Sequence, residues 1–578
     1  MATLNKKPWA FLDDFRGKMF TGEWPTLPEM FEITASRYPS RNCLTVFEPE
    51  RITLSYSETL SAIKKLAAWM TENGVKKGDH VAVTGKNSPE WAVVYLAALF
   101  AGAVIVPIDY GLHNEEIEVL LKTAKPKLFF VDEEKYSYFE EKTKTEDYIG
   151  SLFSLSRKYT EIYVYNLAPN KEQVLAKAEE TDTAAILFTS GTTGNPKGVV
   201  LTHRNLVSDC YIAQSNLNIF HTDVFYALLP LHHSYTMLAV FIESLSVGAE
   251  IVFGKTLAVS KMLSELKQGK ITMLLGVPLL FNKLLAGIFK GIKAKGIAVY
   301  GLIRAMMGLA YILKKLFKVN IGSKLFRSIL DKASLSSVRI AICGGGPLAP
   351  RVFRAYNEFG IDFIQGYGLT ETSPIIALNP KEHFKIESVG QYFIGQMEMK
   401  ILDPDEDGVG EVAVKGPMVM QGYYNMPEET AEVLSPDGWL RTGDLGKLDS
   451  EGYLYLCGRA KNLIVTAGGK NVFPEEIENM FQLYYNEIEQ ITAVGYIAHD
   501  GDVDEEVEAL VYPSDELYKK LNAKRGTENG DAAVQKEIDV IIETVNKKLL
   551  QYQRITKTTY LAAPLEMTTT KKVKRFKK

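Results

Sequence analysis

At 578 residues the chain is too long for one ordinary domain, and its length predicts two to four. A hydrophobic share of 46% beside 24% charged residues excludes a disordered chain, and a net charge of −4 excludes a nucleic-acid binder on bulk electrostatics. The cysteines Cys43, Cys210, Cys343 and Cys457 form no CxxC pair, which argues against a zinc site or a disulfide framework and fits a cytoplasmic, reducing setting.

Residues 1–20 carry Lys6, Lys7, Asp13, Asp14 and Arg16 without an apolar core, so no signal peptide is expected. Residues 57–73 read as an amphipathic helix, 80–84 as a strand and 89–100 as a helix. The longest nearly apolar stretch, 91–106, is short for a membrane span and is interrupted by Gly102. It reads as a buried helix followed by a buried strand over 103–106, ended by Pro107 and Asp109. Further short buried strands are expected at 127–131, 184–189, 250–253, 273–276 and 338–343. Strand–helix alternation of this kind predicts an α/β architecture with largely parallel sheets.

The strand ending at Thr189 runs into Ser190-Gly191-Thr192-Thr193-Gly194-Asn195-Pro196-Lys197-Gly198. Glycines let backbone N–H groups approach phosphate oxygens, hydroxyls add donors, and Lys197 adds a cation. The pattern suits a polyphosphate cradle, though it is not a Walker A loop, because Gly198 and not Ser or Thr follows the lysine. Downstream, Leu229-Pro230-Leu231-His232-His233-Ser234 offers an imidazole for a carboxylate or phosphate oxygen. Residues 266–330 contain no Asp or Glu but many Lys and Arg, with apolar residues at helical spacing over 302–317. Such a basic amphipathic stretch suits an anionic membrane surface, and it equally suits a helical hairpin that covers the core with its lysines in water.

Cys343-Gly344-Gly345-Gly346-Pro347 follows a strand, and the missing side chains leave room for a flat ring on the backbone. In Gln365-Gly366-Tyr367-Gly368-Leu369-Thr370-Glu371-Thr372, the aromatic face of Tyr367 suits a purine and the Glu371 carboxylate suits a hard cation. Residues 408–442 turn rich in Gly, Pro, Asp and short β-prone runs, which predicts a small β-rich subdomain. Asp444, in Trp439-Leu440-Arg441-Thr442-Gly443-Asp444, can accept ribose hydroxyls. Alternating elements return from Asn462, giving a C-terminal α/β module in which 521–533 reads as a solvated loop. The tail, Thr568-Thr569-Thr570-Lys571-Lys572-Val573-Lys574-Arg575, is strongly basic.

Taken in order, these motifs resemble those of the AMP-forming acyl-CoA synthetase superfamily, whose phosphate loop reads [ST]SGTTGxPKG without a gap here. The 281–330 insertion and the tail resemble its long-chain fatty acyl-CoA synthetase branch. The resemblance implies a large N-terminal domain of stacked αβ sheets over 1–458, with a β-rich subdomain near 385–458. It further implies a hinge at 459–461 and a smaller, mobile α/β domain over 462–578. Implied roles follow: Thr189, Ser190, Gly191, Thr192, Thr193, Gly194 and Lys197 for the ATP phosphates; Gly345, Gly346, Pro347, Gly366, Tyr367 and Gly368 for adenine and its surroundings. Thr370 contacts the α-phosphate, Asp444 and Arg459 hold ribose or phosphate, Glu371 and Thr189 hold Mg2+, and His233 stands between the ATP and acyl sites. Lys461 is the implied hinge, where Asn462 replaces the usual Asp, and Gly468 and Gly469 line the implied coenzyme A channel. In the tail the usual Gly before the catalytic lysine is Lys571, so register assigns Lys572. The implied activity is ATP- and Mg2+-dependent ligation of a fatty acid to coenzyme A. An acyl carrier protein acceptor, an aryl or other acid, and a non-catalytic fatty-acid-binding protein remain open, as does peripheral contact with an anionic membrane.

Overall fold

The computed structural model describes residues 7–189, 196–256, 258–466, 470–498 and 505–567. Two large sheets with helices between and outside them form the bulk of the protein. Pro89–Phe100 shows why helices lie between the sheets: it is apolar on every side, and all but one of its residues are buried. Ser88 caps its N-terminus, and it packs against strands of both sheets, His80–Thr84 and Val104–Ile108 in one and Asn42–Val46 in the other. Leu27–Arg37 and Tyr56–Glu72, each opened by a capping box, join it in the largest apolar core. Helices Asn114–Ala124 and Glu133–Thr143 cover the outer face of the first sheet, and Val259–Gly269, Pro278–Lys293, Ile297–Phe317 and Pro350–Glu358 that of the second.

The first sheet has seven strands, with His80–Thr84, Val104–Ile108 and Leu128–Val131 parallel at its centre. The thirteen-stranded sheet changes character midway. Asn42–Val46, Glu250–Phe253, Val224–Ala227, Met273–Gly276, Ile340–Cys343 and Asp362–Gly368 run parallel. From Asp362–Gly368 onward every pairing is antiparallel, through Ile375–Leu378 and Gly390–Tyr392 to Tyr453–Arg459, Leu440–Leu448, Gly410–Lys415 and Glu398–Leu402. The C-terminal part has its own core around the three-stranded sheet of Ile488–Tyr496, Glu506–Pro513 and Ile555–Tyr560, backed by Glu528–Asn546.

Two expectations need correction. Pro107 does not end its strand, which runs Val104–Ile108. The ladder to the neighbour that a donor there would serve is recorded only at Ile105↔Ala185, so the missing N–H sacrifices little. The segment 521–533 is not all loop, because a helix begins at Glu528. Its polar first turn hides an apolar face further on, where Val534, Ile538 and Val545 are fully buried. Gly530 marks a close backbone approach, since a Cβ there would lie 2.3 Å from the carbonyl oxygen of Lys524.

Candidate active site

Parallel strands gather their carboxyl ends along one edge, and in open α/β sheets ligands bind there. Val224–Ala227, Met273–Gly276, Ile340–Cys343 and Asp362–Gly368 are consecutive neighbours, and they lead respectively into the His232-His233 segment, Val277, Gly344-Gly345-Gly346 and Thr370-Glu371. Sheet order thus brings motifs separated in sequence onto one line. Asn87 ties the first loop down: its amide donates to the carbonyls of Ala227 and Leu229, and its side-chain oxygen accepts from Leu231 N. Tyr235 donates to the Ile342 carbonyl at 3.1 Å, and its ring lies where a Cβ on Gly344 would come within 2.9 Å. Gly345 has φ +75°, and Gly368 admits no side chain, since a Cβ would sit 1.7 Å from the Pro374 carbonyl oxygen. Gly366 is less confined, with the Leu378 side chain at 3.0 Å and the Ala377 carbonyl oxygen at 3.3 Å from the place of a Cβ.

A cluster of charge surrounds Glu371. Thr189 and Lys197 face each other across the antiparallel pair Thr183–Thr189 and Lys197–Thr202, and Thr189 Oγ1 donates to the Lys197 carbonyl at 3.4 Å. The short strand Gly422–Tyr423 adds to Lys197–Thr202, which sets the Tyr423 ring 4.6 Å from Lys197 Nζ. The Tyr423 hydroxyl donates to Glu371 Oε1 at 2.8 Å, while Met420 N donates to the Glu371 carbonyl. Burial, and next the Glu371 charge, push the Tyr423 phenol above its usual range, so it remains a donor. Thr370 Oγ1 lies 3.1 Å from Ser234 Oγ, which joins the Glu371 turn to the His233 loop. Among the described residues no group of three or more His, Cys, Asp or Glu could hold a metal ion. The oxygens of Glu371 and Thr189 nevertheless suit Mg2+, which keeps most of its coordination on phosphate and water.

Asp444 organises a second cluster. It stands opposite Arg459 in the ladder of Leu440–Leu448 with Tyr453–Arg459, and its Oδ1 accepts from Arg459 Nε at 2.9 Å. Its Oδ2 accepts from the Tyr367 hydroxyl at 2.6 Å. The carboxylate is buried and backed by Thr442, whose Oγ1 accepts from Asp444 N. Two partners leave further acceptor sites for ribose hydroxyls, because a carboxylate has about four lone-pair directions. The Asp444 charge holds the Arg459 guanidinium above its ordinary range. Desolvation and then the Arg459 charge hold the Lys461 ammonium below its own. Lys461 is exposed in a single 3-10 turn, Ala460–Asn462, and Asn462 donates to Glu475 Oε1 at 2.6 Å.

His233 is half-buried and precedes the short helix Ser234–Thr236, with its ring 5.2 Å from that of His232. His232 instead faces Asp109, 3.4 Å away. The C-terminal part meets the glycine turn through Gln482, whose amide donates to the Pro347 carbonyl at 2.7 Å and accepts from Ala349 N at 2.8 Å. Ser190, Gly191, Thr192, Thr193 and Gly194 of the phosphate loop, Gly468 and Gly469, and the tail lysines Lys571 and Lys572 lie outside the described residues. Sequence reasoning missed Tyr423, Ser234 and Gln482; the one local signal for Tyr423 is Gly422 before it, at φ +144°.

Comparison with known proteins agrees with this architecture. The AMP-binding enzyme family matches residues 31–424. The chain is 29% identical over 565 residues to long-chain-fatty-acid–CoA ligase FadD15 of Mycobacterium bovis, spanning 90% of this chain and 89% of that protein. It is 28% identical over 472 residues to feruloyl-CoA synthase of an Amycolatopsis species, spanning 80% and 84%. The solved structure of anthranilate CoA ligase AuaEII in complex with anthranoyl-AMP has the same fold, with a TM-score of 0.74 at 18% identity over 96% of each chain. A large αβ domain followed by a small one, with nucleotide-compatible clusters at the strand ends and a family match over most of the length, has one consequence: the chain belongs to the AMP-binding enzyme family, in the class of AMP-forming acid–CoA ligases.

Proposed function

We propose that this chain activates a medium- or long-chain fatty acid with ATP and Mg2+, first to the acyl-adenylate and then to acyl-CoA. One observation carries the ATP-dependent activation: an aromatic–acid–cation trio, Tyr367, Asp444 and Arg459, adjoins a second group of Glu371, Tyr423 and Lys197, close enough for the Arg459 and Glu371 charges to act on each other. The first suits a purine riboside and the second suits its phosphates.

In the first step a carboxylate oxygen of the acid attacks the α-phosphorus, the bond to the bridging oxygen breaks, and pyrophosphate leaves. Two anions must meet, so the catalytic task is to offset repulsion. Lys197 and Arg459 carry positive charge to that place, and Glu371 with Thr189 would hold the magnesium that neutralises phosphate charge. By resemblance Lys572 brings a further cation to the reacting carboxylate. In the second step a thiol sulfur attacks the acyl carbonyl and AMP leaves; by resemblance the C-terminal domain turns about Lys461 between the steps.

The apolar acid is favoured by the nearly full-length likeness to FadD15 and by the helical insertion beside Met273–Gly276. An aryl acid has support from the likeness to feruloyl-CoA synthase. An acid panel from acetate to oleate with benzoates, assayed with coenzyme A and with holo acyl carrier protein, tests the reading. The highest kcat/KM is expected for chains of decanoate length or longer with coenzyme A. Preference for benzoates, or thioester formed only on the carrier protein, overturns it.

A further inference from the structure

The helix Ile297–Phe317 is apolar on two opposite faces, and the domain uses only one of them. Its inner face is anchored by buried Met307, Ala310 and Tyr311 and by charge. Lys314 is buried, reaching Asp362 at 2.8 Å and Asn357 at 2.8 Å, while Arg304 reaches Glu358 at 3.5 Å. Lys314 therefore turns inward and Arg304, still exposed, is drawn to the flank by Glu358, which leaves the outer face without the usual polar cover. That face carries Leu302, Leu309, Ile312 and Leu316 at helical spacing, with exposures of 62%, 57%, 50% and 68%. Ile297 at one end is 90% exposed and Phe317 at the other 66%. Among the described residues, nine of the twenty-one exposed large apolar side chains fall between Ile297 and Leu325. A concentration of this kind marks an interaction surface.

Charge identifies the occupant. No acid occurs from Leu266 to Leu330, and exposed cations bracket the apolar helix: Lys290, Lys293 and Lys295 before it, Lys315 and Lys318 at its end, Lys324 beyond. Cations at both ends of an apolar face can reach headgroup phosphates while the apolar side chains enter the acyl region. The helix has 21 residues and a mean hydropathy of 1.5, enough to cross a bilayer by composition. Its inner face, however, is fixed to the domain by Lys314 and by buried Met307, Ala310 and Tyr311, so it lies along a surface and does not span one.

We propose that the outer face of Ile297–Phe317 is an interfacial anchor that docks the protein on an anionic lipid bilayer. Attachment is a property of this surface and is measured without ATP, acid or thiol, so it stands or falls independently of the acid's identity. The experiment is vesicle sedimentation of the full-length protein with phosphatidylcholine alone and with about one-third phosphatidylglycerol, at low and high salt, beside light scattering without lipid. The triple variant Leu309→Gln, Ile312→Gln, Leu316→Gln alters only exposed positions and keeps the acid–CoA ligase activity toward soluble acids. Wild type is expected to bind the anionic vesicles in a salt-sensitive manner, and the variant to bind at least about tenfold more weakly. Leu309→Trp, tested separately, is expected to show a blue-shifted emission on vesicle addition. Equal binding of wild type and triple variant, an unshifted Leu309→Trp spectrum, or a lipid-free dimer that the variant abolishes while wild type ignores vesicles would each overturn the proposal.

Discussion

Removing one hydroxyl tests how the phosphate cluster is built. Tyr423→Phe keeps the ring beside Lys197 and deletes only the 2.8 Å donation to Glu371. A hydrogen bond to an ionised acceptor contributes about 1.5–3 kcal/mol when fully expressed. Both side chains are only partly buried, so water recovers some of that. A net loss near the low end, about 1.4 kcal/mol, corresponds to roughly a tenfold fall in kcat/KM for MgATP. Tyr423→Leu removes the ring as well. A cation–ring contact at a partly exposed site adds about 0.5–1 kcal/mol, so this variant should lose roughly two- to fivefold more. Pyrophosphate release at saturating acid, with MgATP varied, measures both, and thermal unfolding verifies that each variant stays folded. If Tyr423→Phe stays within about twofold of wild type while Tyr423→Leu loses activity, the hydroxyl has no part in holding Glu371 and only the ring matters.

Lys572→Ala is expected to abolish adenylate formation yet largely spare thioester formation from supplied acyl-AMP; an undiminished first step refutes the assignment. Gly368→Ala should give little soluble enzyme, because the added carbon meets the Pro374 carbonyl oxygen at 1.7 Å; wild-type yield and activity would show that the turn yields. Lys461→Pro should slow thioester formation more than adenylation, and equal slowing of both counts against a hinge at Lys461. Glu243 and Asp209 are buried, and desolvation raises both carboxyl groups well above their usual range. Between the unfolded and folded values the native state binds more protons, so stability falls as pH rises, by about 1.4 kcal/mol per pH unit for each such acid. Glu243→Gln should make the slope shallower by about 1.4 kcal/mol per pH unit in urea unfolding across pH 5 to 7, and an unchanged slope refutes the reasoning.

What could be read from the chain alone was what is encoded locally. The glycine motifs stand out as runs of residues without side chains, and at Gly368 the reason is itself local, the carbonyl of Pro374. The strand before Thr189 was legible for the same reason, since an apolar run meeting a polar loop declares itself within a dozen residues. The partners of the site residues were not legible. Tyr423 and Glu371 are 52 positions apart, and Tyr367 and Asp444 are 77 apart. Such pairings follow from sheet order, and nothing local states that Gly422–Tyr423 joins the edge of the seven-stranded sheet while Leu440–Leu448 joins the thirteen-stranded one. Which face of Ile297–Phe317 stays exposed was open in the sequence for a related reason. Periodicity reports that a helix has apolar positions, but when both faces are apolar it cannot say which one the domain uses.

That the two sheets share the Glu371 cluster has a mechanical consequence. Thr189 and Lys197 belong to the seven-stranded sheet, whereas Glu371 follows the strand Asp362–Gly368 of the other. Tyr423 bridges them, paired by backbone to Lys197–Thr202 and by its hydroxyl to Glu371. A rigid phosphate site could be made within one sheet. Building it across two makes the position of the phosphate-contacting cation relative to the carboxylate depend on how the sheets are stacked. The helices buried between them, Pro89–Phe100 foremost, are therefore part of the site's geometry. A cavity opened there, for example by Trp91→Ala, should cost about 3–5 kcal/mol of stability. It should also loosen the Lys197–Glu371 spacing, so that KM for MgATP rises in the molecules that remain folded. Unaltered MgATP kinetics in a destabilised Trp91→Ala enzyme would show that the two sheets hold their register without that helix.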